Sequence, residues 1–565
     1  MPKINIDGKE LEFDGQHRLL QYALDQNIEI PYFCYHPGMS VPTNCRMCLV
    51  EVGFQAKDRA SGELQFDEDG KPIIQWGRKP ATACNTNVAP GMYVKTNRTS
   101  EVIKKAQEGV LEYMLINHPL DCPICDQAGE CPLQIWTYKY GPEGSRFENE
   151  KSHKAKRVDL GPNVVMDQER CINCTRCTRF TEEISGSNQL TIVGRGDRNH
   201  PATAPGEVFD DPYSMNTIDI CPVGALTSKQ HRFKARVWEM SHSHAIDVND
   251  STGTNIEVWI RDNKVLRITP RENQDVNAWW MPDAHRLNVD IYNENRVSGI
   301  QLKGGIPVNF DDGMRKAADL LKNADDKALL IGSAYASLES NYALKQLADQ
   351  LGVKDAYYVS HIEEGRGDGW LMQDDCTPNA AACELLGFKA MSLEAAIEKL
   401  GKSDFIYSLE NDRLFAAAGD ALSGKTVVAH AYQYQSGHEK VNVLLPAATS
   451  IEAEGTYINH KGLAQGSVMA KQIRQMTPEM WMRLPKSRLD KGAVAVDRWR
   501  NLDNIFDVLP SWLMISQLTG MGFDSHKDIY KKVKSEFEAL KDLSFSYKPP
   551  KASFKKTQLE YAPKW

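Results

Sequence analysis

Cys171-Ile172-Asn173-Cys174-Thr175-Arg176-Cys177, answered by Cys221-Pro222-Val223-Gly224-Ala225, is the pair of segments from which the rest of the chain is read. Three cysteines at two-residue intervals and a distant fourth followed by proline have the spacing by which thiolates hold an iron–sulfur cluster. In carriers with two such clusters, the Cys-Pro ligand serves the other cluster. Counting back from Cys221, a complete second motif would need cysteines where this chain has Thr217, Ser214 and Asp211. The first run is not completed either, because Thr181 stands where its fourth cysteine would be. One cluster of an ancestral pair is therefore lost, and Cys171, Cys174, Cys177 and Cys221 close a single [4Fe–4S] site.

Upstream lie two more sets of four. Residues 99–117 read as a helix, with Thr99 or Ser100 as N-cap and Val102, Ile103, Ala106, Val110, Tyr113 and Met114 recurring at helical spacing. It stops at Asn117-His118-Pro119, ahead of Cys122, Cys125 and Cys131. A cubane needs four ligands and only three cysteines follow, so His118 is the nearest candidate for the fourth. Zinc on a set of three cysteines and one histidine is the alternative that local spacing leaves open. The first set is Cys34, Cys45, Cys48 and Cys84, in segments rich in proline and glycine. Residues 3–14 alternate apolar and polar around Asp7-Gly8, a hairpin signal. A short helix with Leu19, Leu20, Ala23 and Leu24 on one face follows. Hairpin, helix and cysteine loop in this order resemble a plant-type [2Fe–2S] ferredoxin of β-grasp fold. The polar stretch Arg59–Gln75, with Asp69-Gly70, reads as an inserted surface hairpin. Buried free cysteines are the bland reading of each set, but eleven of the chain's thirteen cysteines fall into the three groups, leaving only Cys376 and Cys383. Three redox centres on one chain imply electron transfer.

Bulk properties agree. The chain has 565 residues, enough for three or four domains. Its net charge of −8 argues against nucleic acid as a partner. Nothing at the N-terminus reads as an export signal, so Cys-x2-Cys spacings point to metal rather than disulfides. No apolar run approaches the roughly 18 residues of a membrane span, and membrane contact is expected only through partners.

Beyond residue 235 cysteine nearly vanishes and strand-like runs alternate with helical ones. Ala328–Ser333, Tyr357–Ser360, Phe405–Ser408 and Val427–His430 are short and apolar, the pattern of an α/β layered domain with a largely parallel sheet. Gly365-x-Gly367 lacks the full phosphate fingerprint. Ser241-His242-Ser243-His244 has no cysteine near it, and its histidines read as exposed polar residues. Cys376 and Cys383 read as buried and inert.

The order of motifs, with Ile116–Pro123 and Ile218–Ser228, resembles the large electron-transfer subunit of respiratory NADH:quinone oxidoreductase (complex I), called G in bacteria and 75-kDa in mitochondria. The resemblance covers residues 1–230 closely. It implies one [2Fe–2S] and two [4Fe–4S] clusters, relaying electrons from the flavin-containing arm towards the quinone-reducing arm. Residues 443–459 resemble a segment of molybdopterin oxidoreductases. The domains expected are 1–98 ([2Fe–2S], β-grasp), 99–145 (helical, a [4Fe–4S] cluster on one histidine and three cysteines), 146–234 (bacterial-ferredoxin-like [4Fe–4S]), 235–545 (molybdopterin-oxidoreductase-like α/β, without molybdopterin) and a basic tail, 546–565. Expected partners are the other peripheral-arm subunits of complex I: the FMN/NADH-binding subunit, the [2Fe–2S] thioredoxin-like subunit and the quinone-module iron–sulfur subunits. The expected location is the cytoplasmic face of a bacterial inner membrane. The catalytic subunit of an NAD-linked molybdenum formate dehydrogenase is the alternative, with an iron-only hydrogenase and a zinc-bearing scaffold behind it.

Overall fold

Asp7 and Gly8 both take left-handed backbone, φ 52° and 87°, as a two-residue hairpin turn requires. Strand β1 (Lys3–Ile6) therefore folds back onto β2 (Lys9–Glu12). Helix α1 (Leu19–Asp25) buries Leu19, Leu20 and Ala23 against this sheet. Strands β3 (Leu49–Gln55), β4 (Ile74–Trp76), β5 (Ala81–Thr82) and β6 (Met92–Lys95) complete it in the order β2-β1-β6-β3-β4, with β5 on β3 and β6 parallel to β1. Cys48 and Cys84 lie within the core so formed, beside Ile4, Leu20 and Val50. The computed structural model describes residues 1–58, 61–474 and 505–541. The proposed tail at 546–565 lies outside them. At the 59–75 insertion, Lys57 just before it bridges Leu64, and Phe66 bridges Pro72.

Helix α2 (Glu101–Leu115) starts at Ser100, whose side chain accepts from the Ile103 N–H. Its inward residues are Ile103, Gln107 and Leu111, whereas Val102 and Tyr113, expected inside, are 56% and 80% exposed. Gln107 can face inward because its amide donates to the Leu49 carbonyl and accepts from Asn97. Helix α3 (Pro132–Tyr140) begins with proline at its first position, where the missing N–H costs nothing. Strands β7 (Val158–Asp159) and β8 (Val164–Met166), helix α4 (Arg176–Arg179), hairpin strands β9 (Thr191–Val193) and β10 (His200–Ala202), helix α5 (Asn216–Ile220) and strand β11 (Leu226–Ser228) follow. Strands β11, β8 and β7 make a small sheet. Phe33, Met47, Leu133, Met166 and Phe209 pack around it in one apolar cluster.

A second unit runs from Trp238. It opens with an antiparallel meander, β12 (Ser241–Ile246), β13 (Asn255–Arg261) and β14 (Lys264–Pro270), whose second turn uses left-handed Asp262 and Asn263. Next come the short antiparallel strands β15 (Gln301–Leu302) and β16 (Ile306–Pro307). Then come the parallel strands β17 (Leu329–Gly332), β18 (Ala356–Val359), β19 (Lys389–Met391), β20 (Phe405–Ser408), β21 (Thr426–Ala431) and β22 (Val443–Pro446). Their order is β16-β15-β22-β21-β20-β17-β18-β19, so the six parallel strands follow the doubly wound 3-2-1-4-5-6 pattern. Leu330, Tyr407 and Val428 belong to one apolar cluster, and Ile331, Ile406 and Val427 to another. Both faces of the sheet are thus covered, as a parallel sheet requires, and the α/β expectation holds here.

Candidate metal centres

Set 1 is built on the loop between α1 and β3 and the short turn after β5. Cys34, Cys48 and Cys84 are buried and Cys45 is half-buried. The thiols pair: Cys45 donates to Cys34, which lowers Cys34 to about 6 and raises Cys45, and Cys48 is raised by its bond with Cys84. Two sulfurs beside two sulfurs is the donor layout a two-iron rhomb requires, one pair per iron. Backbone N–H groups of Asn44 and Met47 are aimed at Cys34 and Cys45 respectively. Thr43 and Arg46, both at positive φ, bend the chain around Cys45.

Set 2 spans the end of α2 to the start of α3. Cys125 is buried, Cys131 half-buried and Cys122 exposed. Cys131 is the N-cap of α3, and N–H groups of Leu133 and Gln134 approach its sulfur. His118 Nδ1 is buried with no hydrogen-bond partner. Burial, reinforced by Arg170 and Lys151, holds the ring down to about 4, so it is a neutral imidazole at physiological pH, the form that ligates metals. Asp121, before Cys122, accepts from Arg170 and Lys156, and Arg170 also pairs with Asp167. That network ties the loop of set 2 to the loop of set 3.

Set 3 lines a small cavity together with Ile172, Ile192, Pro201 and Val223. Asn173 and Thr175 take positive φ between the cysteines, and the Asn173 N–H donates to Cys171 Sγ at 3.4 Å. Burial pushes Cys131 and Cys171 up to about 12 and Cys174 to about 11, so loading metal must release these protons. The positions where a second cysteine motif would need its ligands hold hydrogen-bonded polar residues instead. Asp211, Ser214 and Thr217 are all buried. The Thr217 hydroxyl donates to the Ser214 carbonyl, and Asp211 accepts from Ser185 and Ser187.

Among the described residues, no three of the twelve donors lie within 4.8 Å of one another. One tetrahedral zinc with bonds near 2.3 Å would hold its sulfurs about 3.8 Å apart. The sets also adjoin one another, in an order that differs from the sequence. Gly224, in the loop after Cys221, has no room for a Cβ, which would stand 2.2 Å from Cys125 Sγ, and the Pro222 carbonyl lies 3.7 Å from Cys131 Sγ. On its other side, fully buried Arg176 donates to the Tyr35 and Ile220 carbonyls, and Arg179 to those of Cys34 and Ser40. Set 3 is therefore the middle one. Sequence spacing had no means of revealing Arg176, Arg179 or Gly224. The only local sign was a Cys-Pro dipeptide followed by glycine.

In the second unit, Cys376 and Cys383 are buried, and Cys376 accepts from Arg366. The Gly367 N–H donates to Asp374 and those of Trp370 and Met372 to Asp368, so this loop offers its N–H groups to carboxylates instead of a phosphate. His242 and His244, expected to be exposed polar residues, are half-buried, with donor atoms within 4.8 Å of each other and of Glu257. No described helix is long and apolar enough to cross a membrane.

Four family models match. Residues 2–99 match a 2Fe-2S iron-sulfur cluster binding domain, and 107–146 the NADH-ubiquinone oxidoreductase-G iron-sulfur binding region. Residues 161–227 match the ferredoxin-like domain of NADH-quinone oxidoreductase subunit 3. Residues 240–290 match an NDSU1/NuoG-like 4Fe-4S domain, although this stretch holds no cysteine. The G subunit of the NADH-quinone oxidoreductase of Rickettsia conorii is 37% identical over 368 residues, covering 64% of this chain and 51% of that protein. The NADH-ubiquinone oxidoreductase 75 kDa subunit of Reclinomonas americana is 37% identical over 372 residues, covering 64% and 49%. An NAD+-reducing [NiFe]-hydrogenase structure in the H2-reduced state is 26% identical, covering 42% of this chain and 91% of that one at a TM-score of 0.34. The chain spans about half the length of the curated relatives it matches. Its first 230 residues thus match a 2Fe-2S domain followed by 4Fe-4S regions, and the chain is similar to the bacterial G and mitochondrial 75 kDa subunits of NADH-quinone oxidoreductase.

Proposed function

We propose that this chain is an electron-relay subunit of an NADH:quinone oxidoreductase. In this reading Cys34, Cys45, Cys48 and Cys84 hold a [2Fe–2S] cluster. His118, Cys122, Cys125 and Cys131 hold one [4Fe–4S] cluster, and Cys171, Cys174, Cys177 and Cys221 hold the other. The observation that carries the reading is the adjacency of the three sets through Arg176, Arg179 and the Pro222–Gly224 loop. When bound, such clusters supply one-electron redox chemistry at potentials set by charge, sulfur hydrogen bonds and exposure. The chain's residues act on each of those three levers. The Arg176 and Arg179 guanidinium groups offset thiolate charge between sets 1 and 3. The N–H groups of Asn44, Met47, Leu133, Gln134 and Asn173 serve the sulfurs. Phe33, Met47, Met166 and Phe209 keep water out.

The partners in this reading are the flavin/NADH-binding, thioredoxin-like and quinone-module iron–sulfur subunits. The location is the cytoplasmic face of a bacterial inner membrane, reached through the complex. The second unit is proposed to be a molybdopterin-oxidoreductase-like scaffold with no substrate site of its own, a reading supported by its doubly wound sheet and its self-satisfied Gly365–Gly369 loop. Iron analysis and EPR of anaerobically prepared, dithionite-reduced protein test the proposal. About ten irons are expected, two in a [2Fe–2S] and eight in two [4Fe–4S] clusters. Iron clearly below eight, or zinc bound through sulfur, would overturn the ligand sets. Molybdenum at one per chain would favour the formate dehydrogenase reading.

A further inference from the structure

The match of residues 240–290 to a 4Fe-4S domain sits on a stretch that cannot hold such a cluster through thiolates, because it has none. The same stretch carries a different donor set. His242 and His244 are two apart on β12 and so project to one face. The antiparallel register places Glu257 of β13 directly opposite His244, and Trp259 opposite His242. His244 Nε2 is 3.7 Å from Glu257 Oε1, and His242 Nε2 is 4.0 Å from the same oxygen. All three residues offer donor atoms within 4.8 Å of one another. Zinc bonds of about 2.0–2.2 Å to nitrogen and oxygen in a tetrahedral array keep donors roughly 3.3–3.5 Å apart. The two histidine–carboxylate distances therefore need to close by about 0.2–0.7 Å, and the separation of the two imidazole donors, within 4.8 Å, by no more than about 1.5 Å, within reach of side-chain rotation.

The ring of His242 is already oriented. It stacks on the Trp259 indole with centroids 4.5 Å apart and planes 26° from parallel. Trp259 is in turn fixed by an Nε1–H bond to Thr269 Oγ1 at 2.9 Å, and carries the Arg267 guanidinium 4.3 Å from its ring centroid. Support of this kind around a ligand holds it in place for metal. The side chains of His242, His244 and Glu257 are 22%, 33% and 23% exposed, which leaves a fourth position open to water. Two imidazoles and one carboxylate suit a borderline divalent ion, and the absence of sulfur makes the site unsuited to an iron–sulfur cluster.

We propose that His242, His244 and Glu257 form a mononuclear divalent-cation site of the zinc class. It would pin β12 to β13 in a domain that lacks the cysteines of an iron–sulfur centre. The test uses the full chain with its clusters intact, washed with a chelator, given one equivalent of zinc sulfate and desalted. Elemental analysis should find about one zinc per chain. Zinc K-edge absorption, which the irons do not obscure, should show imidazole nitrogen and oxygen with no sulfur. His244→Ala and the isosteric Glu257→Gln should each weaken zinc retention by about tenfold or more, with iron content and circular dichroism unchanged. No zinc retained by the parent chain, a sulfur shell, or variants that bind as well as the parent would each overturn the site. The relay proposal is read separately, from iron content and EPR, and stands or falls without this site.

Discussion

Replacing Gly224 with alanine tests whether Cys125 is fixed in place as a metal ligand. The new Cβ would stand 2.2 Å from Cys125 Sγ and 3.1 Å from Gln127 Cβ. Non-bonded atoms of this size rest at about 3.5 Å or more, so the sulfur would have to retreat by about 1.3 Å. Metal–ligand distances tolerate about 0.2 Å, and the required displacement is roughly six times that. The loop cannot easily give way instead. The Ala225 carbonyl accepts from the Asp167 N–H at 2.7 Å, and Leu226 starts a paired strand. Overpacking of this kind typically costs about 1–3 kcal/mol, and with the loop pinned the strain falls on the Cys125 side chain while Cys221 stays in place. The expected result is loss of about four irons of about ten, together with the EPR signal of set 2, while set 3, whose own loop carries the substitution, keeps its signal. Full iron with an unchanged spectrum and midpoint would show that Cys125 is free to move, and the ligand assignment of set 2 would fail.

His118→Ala should leave one iron without a protein ligand and give a three-iron form or cluster loss. His118→Cys should keep four irons at a lower midpoint, because a thiolate adds negative charge. EPR-monitored redox titration reads both, and an unchanged signal in the alanine variant would remove His118 from the site. Glu452 is fully buried against Arg296 at 2.7 Å and Lys471 at 3.4 Å; Glu452→Gln should cost about 3–5 kcal/mol in a denaturant melt, and a loss below about 1 kcal/mol would refute the pairing. Burial opposes ionisation of Glu452, yet Arg296 and Lys471 hold it down to about 2. Its contribution should be complete above the unfolded value of about 4.3 and fall away as pH drops from there towards 2, a slope that Glu452→Gln should flatten. Burial pushes Asp412 the other way, up to about 8. It should destabilise progressively as pH rises from about 3.9 to 8, and Asp412→Asn should raise the melting temperature at pH 8 more than at pH 5.

The alternating α/β pattern was legible because it rests on spacing within short segments, and the three proposed ligand sets are read from spacing of the same local kind. Cys171, Cys174 and Cys177 close around one site by local turns, and the run Ala328–Ser333 becomes a fully buried strand for the same local reason. Features that depend on a distant backbone group were not legible. Helix α2 turns Gln107 inward because its amide donates to the Leu49 carbonyl and accepts from Asn97, and apolar periodicity carries no trace of that. Arg176 and Arg179 look like surface residues of a short helix, yet carbonyls more than a hundred residues away, those of Tyr35 and Cys34, draw them into the interior. Glu257 joins His242 and His244 only through strand register, which the sequence does not print.

On the proposed reading, the order of the sets in space follows from a Cys-Pro ligand of two-cluster type that serves a single remaining site. In a two-cluster motif the Cys-Pro ligand reaches across to the cluster of the other half, so its loop must lie between two sites. Here Cys221 still reaches across to Cys171, Cys174 and Cys177, while Asp211, Ser214 and Thr217 fill the place of the missing partner with hydrogen bonds. The loop beyond Cys221 kept its position between two sites, and His118, Cys122, Cys125 and Cys131 now occupy its outer side, with Pro222 against Cys131 and Gly224 against Cys125. The inner side of set 3 faces set 1 through Arg176 and Arg179. In the proposed relay, an electron crossing between the first and second sets along these contacts would pass the third, the last to appear in the sequence. Disrupting set 3 should sever the path, whereas disrupting either end should leave the other two sets in contact.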